Sequence, residues 1–590
     1  MRNSDEASDS QSQEDAAFTE RIKDLRVLAR KYAIKNAADF GKASSKNVMA
    51  KVMQEAKGNG VAITEISSIV EQEVTTVNAM GKESISKEYS LFEKEFEEKA
   101  KETAIKSAQH DLSIDGAEKG KVITRFPPEP GGYIHIGNAK QSILSDEIAR
   151  LYDGKINLYF DDTNPEKCRQ EYVDQIKVDT AWLGIKFAEE YYASDSIDEI
   201  YKAGRKLIET GKAYACMCSE EEIKVRREKL EECKHRGSSR DENMAIFNDM
   251  LSGKYKESDV IIRMMGDMKS QNASFRDPTL FRIKKANHYR HGEKYIVWPT
   301  YHMNTPIIDS IHGVTDVVRG KEYEIWEDVN KSLLESLGIK PPRMHYEARL
   351  NIKGTTTAKR EIRKLISDGI VMGWDDPRLP TIAGLRRRGI QPNAIRKFVL
   401  RFGMSKTDGI VGIDMLLAEN KKIIDPIAKH LFFVPSPREI AIEGAKTEVE
   451  IPLNPYENKE TRKYSTGTDF YIPGDDAENL KEGDIIRLKN LFNASIVSTS
   501  DKIFAKKAGE GTGKSVQWVS KENSIKARVL IPSDLYKEDG TINPDSLSYV
   551  DGYIEAFASK LEEGDIAQFE RFGYCILDNK EKMSFILISK

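Results

Sequence analysis

The sequence predicts a multidomain α/β protein: a doubly wound parallel sheet that carries an insertion, with a helical region before it and antiparallel β-barrels after it. Three observations predict this. From about residue 119, strand and helix patterns alternate, with Val122-Ile-Thr124 and Ile156–Phe160 each leading into a helical run; that order yields parallel strands with helical crossovers. Before that point, apolar residues recur at three- and four-residue spacing, the helical period. From about residue 430, short β-branched runs alternate with polar turns, which is the pattern of barrels.

Bulk properties bound the answer. A chain of 590 residues is long enough for several domains. Hydrophobic content of 39% and charged content of 32% suit a soluble protein with a well-charged surface. No run of about 18 apolar residues exists, so no membrane span is expected. Residues 1–17 are acidic and polar; they read as a disordered tail and lack the apolar core of a signal peptide. Five cysteines make no disulfide framework and point to the cytosol. A net charge of −4 decides nothing about nucleic acid, because local basic faces fit within a near-neutral total.

The first region, 18–115, is predicted to be helical over Phe18–Ile34, Ser45–Ala56, Ile63–Met80 and Tyr89–Lys106. In the first half of the sheet, 116–207, a strand over Lys121–Thr124 runs into Arg125-Phe-Pro-Pro-Glu-Pro-Gly-Gly-Tyr-Ile-His-Ile-Gly-Asn-Ala-Lys140. Prolines and glycines forbid regular structure there, and a helix follows to about Tyr152. Strand, punctuated loop, helix is the geometry of a phosphate or nucleotide site. His135 can donate to a phosphate oxygen, and Gly137 leaves room for a purine to lie on the backbone. The bland alternative is an ordinary connection. The strand Ile156–Phe160 ends in Asp161-Asp-Thr-Asn-Pro165, before a helix over Glu171–Leu183. Asp161 at a strand's carboxyl end can bind an ammonium group or a sugar hydroxyl; Asp162 and Asn164 read as turn formers.

The insertion, 208–300, contains Cys216-Met-Cys218 and Cys233-Lys-His235, bridged by a charged helix pattern over Ser219–Glu232. Four such ligands can build a tetrahedral zinc site, or the thiols are free packing residues. The sheet resumes over 301–342, followed by 343–430 and barrels over 431–590. Leu385-Arg-Arg-Arg-Gly-Ile390 reads either as a phosphate-contacting face or as a solvated one. Gly509–Ser515 lacks the glycine spacing and following helix of a phosphate loop and reads as a hairpin turn.

The stretch Arg125–Lys140 resembles the HIGH signature of class I aminoacyl-tRNA synthetases, in its glutamyl/glutaminyl form. The resemblance covers nearly everything after about residue 115 and implies a Rossmann-like catalytic domain. It also implies an ATP-dependent ligase that activates L-glutamate and esterifies the 3′ end of tRNA(Glu), with tRNA(Gln) as a further partner to consider. ATP comes with Mg²⁺, and one structural zinc is suggested because bacterial relatives carry a zinc knuckle in the insertion. The implied ATP-binding residues are Pro128, Glu129, His135, Gly137, Asn138, Arg349 and Lys359, with His135 and Lys359 catalytic. The implied glutamate-binding residues are Arg125, Asp161, Tyr301 and Arg319. Relatives that charge glutamate have arginine where Arg319 stands; those that charge glutamine have a small neutral residue. A buried carboxylate needs such a charge-assisted partner.

The mobile lysine loop of the class maps by register onto Arg349–Ile362, ahead of Trp374-Asp-Asp-Pro-Arg-Leu379, so Met404-Ser-Lys-Thr407 is read as a structural turn. Here Thr357 replaces a hydrophobic residue and Ala358 the usual serine. His302 stands where relatives usually have Asp and Asp316 where they usually have His, a candidate compensating exchange. The insertion resembles the domain that grips the tRNA acceptor end, residues 343–430 the part that spans toward the stem, and the barrels an archaeal-type anticodon-binding region. The N-terminal helices resemble an archaeal extension with no assigned chemistry. The resemblance implies a cytoplasmic monomer; the alternatives are a glutaminyl-tRNA synthetase and a non-catalytic RNA-binding paralogue.

Overall fold

The computed structural model describes residues 5–55, 61–93, 96, 112–406, 409–455, 460–500, 502–509, 511 and 513–590. The chain divides into two compact units, Met1–His110 and Asp111–Lys590.

The first unit is helical: Asp5–Phe40, Ser45–Glu55, Ile63–Asn78 and Lys82–Tyr89. Its core is the apolar stripe the period predicts, including Leu25, Ala29, Ala33, Val48, Val52, Ile66, Val70 and Val77. The long first helix corrects the expectation of a disordered tail over 1–17 for residues 5–17; residues 1–4 lie outside the described residues. No proline or glycine interrupts 5–17. Most of the predicted helix Tyr89–Lys106 lies outside the described residues; the helix seen here is Lys82–Tyr89.

The second unit opens with β1 (Ile123–Phe126), β2 (Lys155–Phe160) and β3 (Glu190–Tyr192), all parallel in the order β1-β2-β3. β1 starts and ends two residues later than predicted, so Arg125 belongs to the strand rather than the loop. An antiparallel four-stranded sheet follows, made of β4 (Ala213–Cys216), β5 (Ile261–Met264), β6 (Thr279–Ile283) and β7 (Val297–Pro299). The parallel sheet then resumes with β8 (Asp316–Gly320) and β9 (Arg343–Glu347), again parallel. Thr315 N donates to the Ile123 carbonyl at 2.9 Å, which sets β8 beside β1. The spatial order is therefore β3-β2-β1-β8-β9, and the winding reverses between β1 and β8. Ligands in such sheets bind at the carboxyl ends of the strands at this reversal. Arg125 and Arg319 are the penultimate residues of those two strands.

From Lys429 the chain is almost entirely β. One seven-stranded sheet takes Lys429–Leu431 and Phe433–Pro435 together with strands between Ser524 and Ser589. The other is built from strands between Pro437 and Ser520. The second sheet is thus inserted within the first, rather than the two following in series. The hairpin expected at 509–515 is also corrected. Ile503–Ala508 pairs with Asn493–Ser498, whereas Lys514–Val516 pairs in parallel with Ile485–Leu488. No single strand runs over Val516–Val519: strands end at Val516 and restart at Val519, and between them Trp518 sits in the barrel core and donates its indole N–H to the Lys489 carbonyl at 2.8 Å. Among the described residues, no helix is long and apolar enough to cross a membrane.

Candidate active site at the sheet reversal

A cleft of about 490 Å³ opens above the ends of β1 and β2. Of the residues predicted from sequence, Pro128, Glu129, Asn138, Asp161, Tyr301 and Lys359 line it.

The helix Ile136–Leu151 begins at the cleft. His135 is its N-cap, and Nδ1 accepts from the amides of Gly137 (3.1 Å) and Asn138 (3.4 Å). Asn138 returns the bond by accepting from the His135 amide at 3.2 Å, which closes a capping box. An accepting Nδ1 places the ring proton on Nε2, so His135 offers an N–H donor. Burial, then the nearby charges of Lys359 and Arg349, push its pKa down to about 3, and it is neutral at physiological pH. At Gly137 a Cβ would crowd the His135 ring at 3.0 Å. The chain on either side of His135 is tied to Pro380–Ile382, with Ile136 N donating to the Pro380 carbonyl and Ile382 N to the Ile134 carbonyl, each at 2.9 Å.

The lysine loop docks on the opposite wall. Lys359 opens the helix Lys359–Ser367, and its Nζ reaches across to the Glu129 carbonyl at 2.9 Å. Burial lowers its pKa to about 8. Arg363 donates to the Gly131 carbonyl, and Trp374 stacks on Tyr133 with ring centroids 5.6 Å apart. Gly132 has φ +151°, and a Cβ there would stand 2.7 Å from Trp374. Ala358 caps the lysine helix without any side-chain hydrogen bond, so the missing serine costs a cap. Arg349, predicted as an ATP neighbour, is exposed and pairs with Glu322 at 2.9 Å. Lys406, in the competing Met404–Thr407 segment, pairs with Glu324 at 2.7 Å; Thr407 lies outside the described residues.

Two arginines lie beneath the cleft, both almost fully buried. Arg125 donates to Asp309 (3.1 Å) and to the Val318 carbonyl (3.1 Å), and its Nη2 has no partner among the described residues. Burial works against its charge, but Asp309 together with the Tyr159 and Tyr301 hydroxyls outweighs this and holds the pKa above the ordinary value. Arg319 donates from Nη2 to the Tyr301 hydroxyl and packs against the faces of Tyr301 and Tyr323, at 5.3 and 5.1 Å from the ring centroids. Its Nε and Nη1 are buried without partners among the described residues. Native structures seldom leave such donors idle unless a ligand takes them. Asp161 accepts from Asn304 (2.6 Å) and Thr163 (3.2 Å). Burial, then Glu129, raises its pKa to about 7.

Sequence reasoning missed several partners. Asp309 neutralises Arg125 and is the lone acid in the helix Tyr301–Ile311, which was a usable signal. Asp162 is not a simple turn residue: it is fully buried and accepts from Ser194 N (2.8 Å), Ser194 Oγ (2.8 Å) and the Tyr289 hydroxyl (3.0 Å). Asn164 does form a turn, its carbonyl accepting from Lys167 and Cys168 at 3.2 Å. His302 and Asp316 do not form an exchanged pair. Asp316 is held by Arg343 (2.6 Å) and His345 (2.9 Å), which lower its pKa to about 2 against burial, while His302 packs on Trp326. The run Arg386–Arg388 is neither a phosphate face nor a solvated one. Arg386 pairs with Asp179 (3.5 Å), Arg387 forks onto Asp578 (2.8 and 2.9 Å), and Arg388 is buried.

In the insertion, Cys216, Cys218, Cys233 and His235 converge, every ligand atom within 4.8 Å of the others. The Cys233 sulfur lies 3.6 Å from that of Cys216 and 3.5 Å from that of Cys218, and 3.3 Å from His235 Nδ1. Tetrahedral zinc with Zn–S bonds of about 2.3 Å requires S···S spacings of about 3.8 Å, so the set fits. The bridging helix is Glu220–Lys229.

Comparison with known proteins agrees with this geometry. Residues 121–425 match the family model for the catalytic domain of class I tRNA synthetases (E and Q), and residues 428–510 and 515–578 match two anticodon-binding domain models of the same class. The chain belongs to this family of class I glutamyl/glutaminyl synthetases. Within it, the chain is similar to glutamate–tRNA ligases of archaea. It is 38% identical to that of Nitrosopumilus maritimus over 95% of this chain and 99% of the relative, and 38% identical to that of Pyrococcus furiosus over 96% and 99%. For the Korarchaeum cryptofilum protein the figure is 35% over 96% and 100%.

Proposed function

We propose that the chain is a glutamate–tRNA ligase acting in the cytosol as a monomer, and that the cleft above β1 and β2 is where L-glutamate and ATP, entering as its Mg²⁺ complex, react. The observation that carries the reading is the pair of buried arginines at the sheet reversal, each with unused N–H groups. In the first step the glutamate α-carboxylate attacks the α-phosphorus of ATP and pyrophosphate leaves. In the second, a terminal ribose hydroxyl of tRNA(Glu) attacks the activated carbonyl and AMP leaves. No protein nucleophile is needed, so catalysis is positioning and charge stabilisation. Arg319 and Tyr301 hold the side-chain carboxylate, with Arg125 contributing its free Nη2, and Asp161 takes the ammonium. His135 Nε2–H and the amides of the helix start bind phosphate oxygens. Lys359 trades the Glu129 carbonyl for charge developing on the leaving pyrophosphate.

Further assignments go with this reading. The insertion grips the acceptor end, 343–430 approaches the stem, and the barrels bind the anticodon. The Cys216, Cys218, Cys233 and His235 set holds one zinc, a closed four-ligand site that would brace the insertion and take no part in the reaction.

ATP–pyrophosphate exchange, run with tRNA and either glutamate or glutamine, tests the reading. Exchange with glutamate is expected. Exchange with glutamine alone would overturn the role of Arg319, and exchange with neither would favour a non-catalytic RNA-binding protein. Lys359→Ala should abolish exchange while Lys406→Ala preserves it; the reverse result would move the lysine loop to Met404–Thr407.

A further inference from the structure

The helix Ile136–Leu151 carries a buried cation that the reaction above does not use. Asn138 and Gln141 of this helix line the cleft, whereas Lys140 between them is 2% exposed and reaches β9 instead. Its Nζ pairs with Glu347 at 2.6 Å and donates to the Ala348 carbonyl at 2.7 Å. Glu347, itself buried, is the last residue of β9. From there the chain runs through Arg349 and a short strand, Leu350–Ile352, into the lysine loop. This root of the loop is held on its other side too. Ala348 N donates to the Ser405 carbonyl at 2.8 Å, and Leu350–Ile352 pairs in parallel with Gly409–Val411. The root also borders the helix start, since the Leu350 carbonyl stands 3.9 Å from where a Gly137 Cβ would lie.

We propose that Lys140 is a positioning residue for ATP: through Glu347 and Ala348 it fixes the root of the lysine loop against the helix start, and so sets the span between His135 and Lys359. Taking two charges out of water is costly, and a well-packed apolar pair often serves stability as well or better. An apolar pair would hold β9 against the helix yet leave the strand free to slide. An ammonium demands particular acceptors, and one carboxylate plus one carbonyl on successive residues define a single register. The lysine loop needs that register. It turns at Gly354, with φ +76°, and its far end meets the opposite wall through Lys359 on the Glu129 carbonyl. A shift at the root is carried along to Lys359. Misplacement of about 1 Å can cost on the order of a hundredfold in rate, so a tether at the root bears on catalysis without touching substrate. This role rests on the reading of the cleft as the ATP site.

The test is pyrophosphate exchange by the full-length chain with tRNA, titrated with ATP and separately with glutamate, alongside thermal unfolding. Glu347→Gln keeps the size of the side chain but strands the Lys140 charge, and should lower both Tm and kcat/KM for ATP. Lys140→Met combined with Glu347→Leu replaces the pair by apolar side chains. This double variant should reach or exceed the wild-type Tm. Its kcat/KM for ATP should nevertheless stay down by about tenfold to a hundredfold, with the glutamate KM at saturating ATP unchanged. Hydrogen exchange at the amides of residues 348–352 should be faster in it. A double variant with wild-type Tm and wild-type kcat/KM for ATP would reduce the pair to packing and overturn the proposal. An equal loss for ATP and glutamate would overturn it too, as general damage to the cleft. If the double variant does not fold, Lys140→Arg and Lys140→Met are compared. The arginine, which keeps the charge, should retain the larger kcat/KM for ATP, and equal losses overturn the proposal. Absence of exchange in the wild type would overturn the ATP reading itself, and this role with it.

Discussion

Arg319→Gln separates function from stability at one position. In the ligand-free chain the Arg319 guanidinium is 2% exposed, gives one N–H to the Tyr301 hydroxyl, and leaves Nε and Nη1 unused. Bound glutamate supplies the missing carboxylate. Two hydrogen bonds to a charged group, at about 1.5–3 kcal/mol each, come to about 3–6 kcal/mol. At about 1.4 kcal/mol per tenfold, the substitution should lower kcat/KM for glutamate by about 10²–10⁴. The same change removes an unpaired buried cation, so the Tm of the ligand-free protein should stay level or rise. Arg125→Gln is the contrast. It strands Asp309, 3% exposed, without its partner, and should cost about 3–5 kcal/mol of stability. Pyrophosphate exchange and thermal unfolding of both variants measure these effects. A loss below about tenfold for Arg319→Gln, together with a fall in Tm, would refute the reasoning by making Arg319 a structural residue.

Asp161, raised to about 7 by burial and then Glu129, must ionise to receive an ammonium, so the glutamate KM should fall as pH rises from 6 to 8. Lys359, lowered to about 8 by burial, loses its charge above that pH, so kcat should decline on the alkaline side; His135, at about 3, adds no limb in this range. A pH–rate profile of exchange checks all three. For Asp161 the stability sign is opposite to its binding role. Its folded pKa lies above the unfolded value, so its contribution is complete below about pH 4 and is lost as pH rises through 7; Asp161→Asn should flatten that slope in pH-dependent unfolding. Metal analysis should find one zinc per chain, lost with a drop in Tm in Cys218→Ser. Ala358→Ser should supply the absent cap and stabilise the docked lysine loop by about 1 kcal/mol, seen as slower hydrogen exchange at the amides of residues 360–362.

The loop between β1 and its helix was legible because proline, glycine and histidine at those positions leave few conformations open. Tyr301, Asp161 and Lys359 line the cleft beside it. The Cys216, Cys218, Cys233 and His235 cluster was legible as a set because short spacings bring donors together whatever the fold between them does. What stayed hidden depends on contacts distant in sequence. Arg387 reads as a surface cation until Asp578 arrives from the far end of the chain. Asp162 reads as a turn residue until Ser194 and Tyr289 close over it. Nothing local to Arg349 tells that Glu322 waits to pair with it.

The insertion of one β-sheet within the other has a consequence for synthesis. Phe433–Pro435 leaves the ribosome early, yet its partner strand, Leu547–Glu555, is not made until all of Pro437–Ser520 has followed. At ordinary elongation rates that interval is on the order of ten seconds. During it the inner sheet, whose strands all come from one continuous stretch, is free to close. Phe433, fully buried in the finished protein, packs its ring on Phe569 and Phe572, which are made later still. The nascent chain therefore passes through a stage with one complete sheet and an apolar edge awaiting its mate, the stage at which a chaperone would find it.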